Sequence, residues 1–178
     1  MISFEKIKED LSAWCKWKDK PFCFKSFLYF FIKYTEFKVL VDFRLKYTRL
    51  KFLRIFTYHY VLRHNLYISV GGGKIAGGLR IMHGFSTIVF AKSIGKNCMI
   101  NQQVTIGWAN GGAPVIGDNV WIASGAKVLG PVTIGNDVII GANAVVIKDI
   151  PAHSIVAGVP AKIIKQRKTE NSIWEKID

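Results

Sequence analysis

The stretch from Pro114 to Ile150, "PVIGDNVWIASGAKVLGPVTIGNDVIIGANAVVIKDI", places an aliphatic residue at every sixth position: Ile116, Ile122, Val128, Ile134, Ile140 and Val146. A helix repeats its apolar face about every 3.6 residues and a strand about every 2, so this spacing belongs to neither alone. It suits a solenoid in which each unit is a short strand plus a turn and three units close one coil, with the aliphatics stacked inward. Four places after each of them stands another small or apolar residue: Val120, Ala126, Val132, Val138, Ala144 and Ile150. The expected fold class is therefore mainly β, a parallel β-helix. Gly95, Gly107, Gly117, Gly135 and Gly141 each follow an inward aliphatic and are expected to permit the corner conformations.

Upstream, Ile94, Ile100 and Ile106 keep the same step, and the interval to Ile116 is longer by four inserted residues. That insertion, "GWANGGAP" from Gly107 to Pro114, reads as a loop leaving the coil.

Before residue 68 the composition changes. There is no glycine up to residue 70 and one proline, Pro21, expected in the first turn of a helix. The expected organisation is a basic, aromatic helical region over residues 1–66, a β-helix over 67–164 and a short C-terminal tail over 165–178. A short solenoid needs its ends covered; the helical region can cap its start, and "KIIKQRK" (Lys162–Lys168) with the tail to Trp174 can cover its end.

The chain carries 25 Lys and Arg against 12 Asp and Glu, a formal charge of +13, which points to an anionic partner. Between Lys20 and Tyr67 ten bases face two acids, Glu36 and Asp42, among aromatics that include Phe22, Phe24, Phe27, Phe31, Phe52 and Phe56. This region packs as an ordinary helical subdomain, or residues 20–67 rest on an anionic membrane surface. No nucleic-acid motif accompanies the charge, and nucleic acid is not expected as a partner. The apolar run Ser26–Ile32 is too short to cross a bilayer. "MISFEKIKEDLSAW" has no apolar core of a secretory signal, and Cys15, Cys23 and Cys98 form neither a metal-like nor a redox-like spacing. The expected location is cytoplasmic, peripheral to the inner face of the membrane.

"GLRIMHG", "IGKNCMINQQVTIG", "PVIGDNVWIASGAKVLG" and "IIGANAVVIKDIPAHSIVAGVPAKII" together resemble the hexapeptide-repeat acyltransferases, within the branch of serine O-acetyltransferases and capsular or exopolysaccharide O-acetyltransferases. The resemblance covers roughly residues 65–168. It implies a left-handed parallel β-helix, a homotrimer with active sites between neighbouring β-helices, and acetyl-CoA as donor with a hydroxyl or amine as acceptor; no catalytic metal is expected, since His83 and His153 stand too far apart for a three-His site. It also implies His83 as catalytic base. Ser124, Ala142 and Ile147 match positions along the pantetheine arm, and Lys148, Lys162 and Lys165 match basic positions near the nucleotide phosphates.

The chemistry agrees with that assignment. An alcohol attacking a thioester must lose its proton as the bond forms, and a neutral imidazole suits that task. His83 stands two places after the inward Ile81, so its side chain is expected to face outward. His59 and His64 are expected at the surface or an interface, and His153 in a turn. The interval from His83 to Ile94 is one residue shorter than the branch leads one to expect, which predicts a corner adjustment near Phe85–Thr87.

The branch also suggests the acceptor. Serine acetyltransferases carry an Asp directly before the catalytic His, another about one coil earlier and an Arg–His pair after the "VTIG" strand. Here Met82, Ile68 and Gly112–Ala113 stand instead, and no neighbouring residue is expected to restore the charge. A sugar or glycan hydroxyl of polysaccharide biosynthesis is therefore the expected acceptor, with Trp108 and Asn110 stacking on it and bonding to it. Serine O-acetylation, or a non-catalytic scaffold, are the alternatives.

Overall fold

The hexads become strands of two to five residues, and the corners between them turn the chain through three sheets before it meets itself one coil later. The structure, a computed structural model, describes residues 4–46, 48, 50–57, 65–70, 74–169 and 171–177. Helices α1 (Phe4–Trp17), α2 (Phe24–Lys33) and α3 (Thr35–Leu45), with a 3₁₀ turn at Lys51–Phe56, precede the coils.

The first sheet is parallel: β1 (Leu66–Val70), β3 (Thr87–Ala91), β6 (Thr105–Gly107), β9 (Lys127–Leu129) and β12 (Val145–Val146). The second holds β4 (Ser93–Ile94), β7 (Val115–Ile116) and β10 (Thr133–Ile134). The third runs β2 (Arg80–Ile81), β5 (Met99–Ile100), β8 (Trp121–Ile122), β11 (Ile139–Ile140) and β13 (Ser154–Ala157), then continues antiparallel into β14 (Lys162–Gln166) and β15 (Glu175–Lys176). This is a parallel β-solenoid of about four turns, consistent with a left-handed β-helix.

The predicted aliphatic ladders are the core. Ile81, Ile100, Ile122, Ile140 and Val156 pair in register down the third sheet, and Val89, Ile106, Val128 and Val146 down the first. All nine are buried. Burying such side chains contributes about 1.5–3 kcal/mol each, so the ladder is the main driving force for coiling. The expected domain boundary at 164/165 falls inside β14, and the tail continues the same sheet through β15.

The glycines work differently from the expectation. Gly95, Gly107, Gly117, Gly135 and Gly141 do not have positive φ; at the corners asparagine takes the left-handed conformation instead, as at Asn97, Asn119 and Asn143. Asparagine tolerates that region through its short polar side chain. What demands glycine at 117 is the coil stacked against it: a Cβ there would lie 2.9 Å from both the Asn136 amide nitrogen and the Gly135 carbonyl carbon.

The helical layer closes the start of the solenoid. Arg44 of α3, fully buried, donates from Nε and Nη2 to the two carboxylate oxygens of Asp10 in α1 at 2.8 and 3.0 Å. Its remaining donors reach the Ile75 and Ala76 carbonyls at 2.8 and 2.7 Å, and Asp10 accepts from the Leu79 N–H at 3.0 Å. Trp14 donates to the Leu79 carbonyl and packs edge-on against Phe30, Tyr34 and Phe37 at 5.2–5.7 Å. The aromatic signal thus divides: Phe30 and Phe37 are core, whereas Phe22, Phe24, Phe52 and Phe56 are exposed. Pro21 is not in a helix. Its carbonyl, just ahead of α2, accepts from Ser26 Oγ at 2.6 Å.

Candidate active site

Taking the residue two places after each inward aliphatic of the third sheet gives His83, Gln102, Ser124 and Ala142. These four form one column on the corner between the third and first sheets. Backbone bonds tie its coils together: the Gln103 N–H donates to the Phe85 carbonyl, Gly125 to Gln102 and Asn143 to Ser124. The structure therefore brings His83, Ser124 and Ala142 together along one edge.

His83 differs from the residues below it in backbone as well as side chain. In the later coils the left-handed residue lies three places after the aliphatic, at Gln103, Gly125 and Asn143, with φ of 58°, 74° and 57°. In the first coil it is His83 itself, φ 51°, and Ser86 repeats the conformation at 51°. This pair of left-handed residues absorbs the slip in spacing and leaves the His83 side chain exposed. Left-handed backbone at a non-glycine residue is uncommon, so surrounding contacts have to fix it. One of those contacts is Gly84, where a Cβ would come within 2.7 Å of Ile81 Cγ2 and 3.0 Å of Leu66 Cδ2.

The helical layer supplies another. Glu36, in the first turn of α3, accepts a hydrogen bond from the Gly84 N–H at 3.3 Å. A carboxylate thus reaches the turn that carries His83 from a different element, though it bonds to backbone and not to the imidazole. The signal in sequence was faint, an acid isolated in a stretch of bases. Gln102 was also missed, although it shares the register of His83, and its buried Oε1 has no hydrogen-bond partner among the described residues. Beside it Asn101 accepts from Trp121 Nε1 at 3.1 Å and donates to Ser124 Oγ at 3.5 Å.

Trp108, Asn110, Ile147 and Lys148 lie on the next corner, between the first and second sheets. The "GWANGGAP" loop closes on itself through paired backbone bonds between Ala109 and Gly112, leaving Trp108 63% exposed. Within one chain the first sheet separates this corner from His83, so the expected reach of Trp108 and Asn110 to the acceptor is not made by a single copy. Lys162 and Lys165 are exposed on β14, at the far end of the third sheet.

His153 adopts a left-handed turn, φ 58°, with Nδ1 2.8 Å from Asp137 Oδ2. Arg167 donates to both oxygens of the same carboxylate at 2.6–2.9 Å. Burial works to raise the Asp137 carboxyl, but Arg167 and then His153 outweigh it and hold it below the ordinary value. His59 and His64 lie outside the described residues. Among the described residues no group of three or more His, Cys, Asp or Glu could hold a metal ion.

Residues 113–148 match the bacterial transferase hexapeptide (six repeats). A serine acetyltransferase of Staphylococcus aureus (strain Mu50) is 45% identical over 100 residues, covering 53% of this chain and 47% of its own. The solved serine acetyltransferase of Neisseria gonorrhoeae in complex with serine superimposes with a TM-score of 0.66 at 27% identity, over 89% of this chain and 67% of that one. The Brucella abortus serine acetyltransferase in complex with coenzyme A shares the fold, with a TM-score of 0.63 at 22% identity over 91% of this chain and 67% of that one. The chain spans about half the length of the curated relatives it matches. The repeats are thus of the bacterial transferase type, on a solenoid like that of serine acetyltransferases. Each of the relatives named here is a serine acetyltransferase.

Proposed function

We propose that the protein is an acetyl-CoA-dependent O-acetyltransferase in which His83 takes the proton of the acceptor hydroxyl. The observation that carries this is the single corner column, with an exposed imidazole at its head and the small residues Ser124 and Ala142 below it. A narrow pantetheine arm fits along such an edge. The hydroxyl oxygen forms its bond to the thioester carbonyl carbon, the carbon–sulfur bond breaks, and the proton passes through the imidazole to the leaving thiolate. Ile147 and Lys148 stand on the neighbouring corner, so a site that uses them together with His83 needs a second copy to supply one of the two corners. That supports the cyclic trimer expected from the repeat family, with each site shared by two chains.

The likeness to serine acetyltransferases supports a short hydroxy amino acid as acceptor, and serine is the first to test. Glu36, held at the His83–Gly84 turn, places a negative charge beside that turn, which suits an acceptor bearing an ammonium group. Met82 and Trp108 favour the second reading, a sugar hydroxyl, because an apolar side chain and an exposed indole suit a sugar face better than a charged one.

Thiol release from acetyl-CoA, measured with L-serine and with a panel of sugars, separates the two. Replacing His83 with Ala should lower turnover at least ~100-fold if it is the base. Near-normal turnover of that variant would remove His83 from the mechanism, and an absence of thiol release with every acceptor, together with no acetyl-CoA binding, would leave the scaffold reading.

A further inference from the structure

The helical layer has an outer face that the capping role does not use. On α2, Phe24, Leu28 and Ile32 follow one another at four-residue intervals, and all three are exposed, Phe24 by 73% and Ile32 by 72%. The neighbouring 3₁₀ turn presents Phe52, Ile55 and Phe56, with Ile55 exposed by 77%. Phe24 from α2 and Phe56 from the 3₁₀ turn line an open groove of about 600 Å³ together with Leu11, Phe27, Phe31 and Val41. Single exposed apolar residues are ordinary, but an apolar groove edged by the exposed Phe24 and Phe56 is of the kind that marks an interaction surface.

We propose that this face docks on an anionic lipid bilayer, with the α2 and 3₁₀ ridges entering the interface and the surrounding lysines resting on acidic headgroups. Charge selects this occupant. Lys8 lines the groove, and Lys25 and Lys51 are exposed beside it. Of the ten bases that residues 20–67 carry against two acids, Arg44 is buried against Asp10 and Arg54 pairs with Asp42, while Lys25, Lys33, Lys46 and Lys51 are exposed. Both acids are engaged within the fold: Asp42 by Arg54 at 3.0 Å and Thr57 Oγ1 at 2.6 Å, Glu36 by the Gly84 N–H. A second copy is the less suitable occupant, because a two-fold contact through this face would set one basic surface against another. The apolar ridges with flanking bases match the pattern of a helix lying in a membrane interface rather than crossing it. No described helix is long and apolar enough to cross a membrane.

The test uses the full chain, sedimented with vesicles of phosphatidylcholine alone or phosphatidylcholine mixed with phosphatidylglycerol. Cys23, exposed on the groove's rim, can carry a polarity-sensitive maleimide dye. Binding is expected only to the phosphatidylglycerol vesicles, with a blue shift of the dye and loss of binding at high salt. The triple variant F24S/L28S/I32S changes exposed positions only and should fold normally by circular dichroism while binding at least tenfold more weakly. Charge reversal at Lys25 and Lys51 should weaken binding about fivefold per position or more. No preference for the acidic vesicles overturns the proposal. So does a fall in oligomeric mass of the triple variant without vesicle binding, which would assign the face to a second copy. None of these readouts depends on acetyl transfer, so the outcome is independent of the assignment of His83.

Discussion

The position of His83 depends on two residues that are not adjacent to its chemistry. Gly84 leaves the space its turn requires, and Glu36 accepts the turn's free N–H from α3. A hydrogen bond to a charged acceptor contributes about 1.5–3 kcal/mol, less where water reaches it, as at the partly exposed Glu36. Glu36→Ala is expected to lower kcat by about tenfold, equivalent to ~1.4 kcal/mol, and to lower the melting temperature by a few degrees. Glu36→Gln keeps an acceptor oxygen and should retain most of the rate; full activity of the alanine variant would detach Glu36 from the site. The cysteines give a second test at this scale. Burial pushes the Cys98 thiol up to about 12, and Cys15 is also buried and raised, whereas a hydrogen bond with Ser26 lowers the exposed Cys23. Mass spectrometry after brief maleimide treatment of the native protein should find one label, on Cys23.

At the scale of elements, α1 and α3 are fixed to the first coil by a buried ion pair. Asp10→Ala would leave the Arg44 guanidinium buried without its carboxylate and is expected to destabilise the protein by about 3–5 kcal/mol in urea unfolding. Within the solenoid, Gly117→Ala forces neighbouring coils apart, since the new Cβ meets the Asn136 side-chain oxygen first and then the Gly135–Asn136 backbone, which cannot swing away. A cost of about 1–3 kcal/mol is expected, typical of overpacking. The last corner has a pH signature. Arg167 and His153 hold Asp137 below its ordinary 3.8, so the stabilisation from this carboxylate is present above about pH 4. It is lost as pH falls through the lower folded value, where the bound proton removes the charge that both partners use. Asp137→Asn should flatten that part of the stability–pH curve, measured by thermal melting between neutral and strongly acidic buffers.

For the whole molecule, the separation of the two corners has a consequence for assembly. If each site takes its base from one copy and its Trp108 loop from the next, two variants damaged on opposite corners can repair each other. His83→Ala and Trp108→Ala, each of low activity alone, are expected to recover part of the rate when unfolded together and refolded as mixed assemblies. Light scattering should report a mass three times the 20.0 kDa chain. A monomer with full activity would contradict a shared site.

Much of this architecture was present in one dimension. The six-residue step of aliphatics specified the coil, because each inward position repeats the same local environment and needs no distant partner to define it. The same register placed His83, Ser124 and Ala142 on one edge, and it also held Gln102. What the sequence could not express were contacts between residues far apart in the chain. Glu36 reaches Gly84 across 48 positions, and Arg44 reaches Asp10 across 34; no periodicity links either pair. Nor could composition separate Phe30 and Phe37, packed around Trp14, from Phe24 and Phe56, which face outward from the same basic region. The fold follows from a local repeat that the chain carries within itself, whereas the setting of the histidine and the character of the helical face depend on how that layer packs against the first coil.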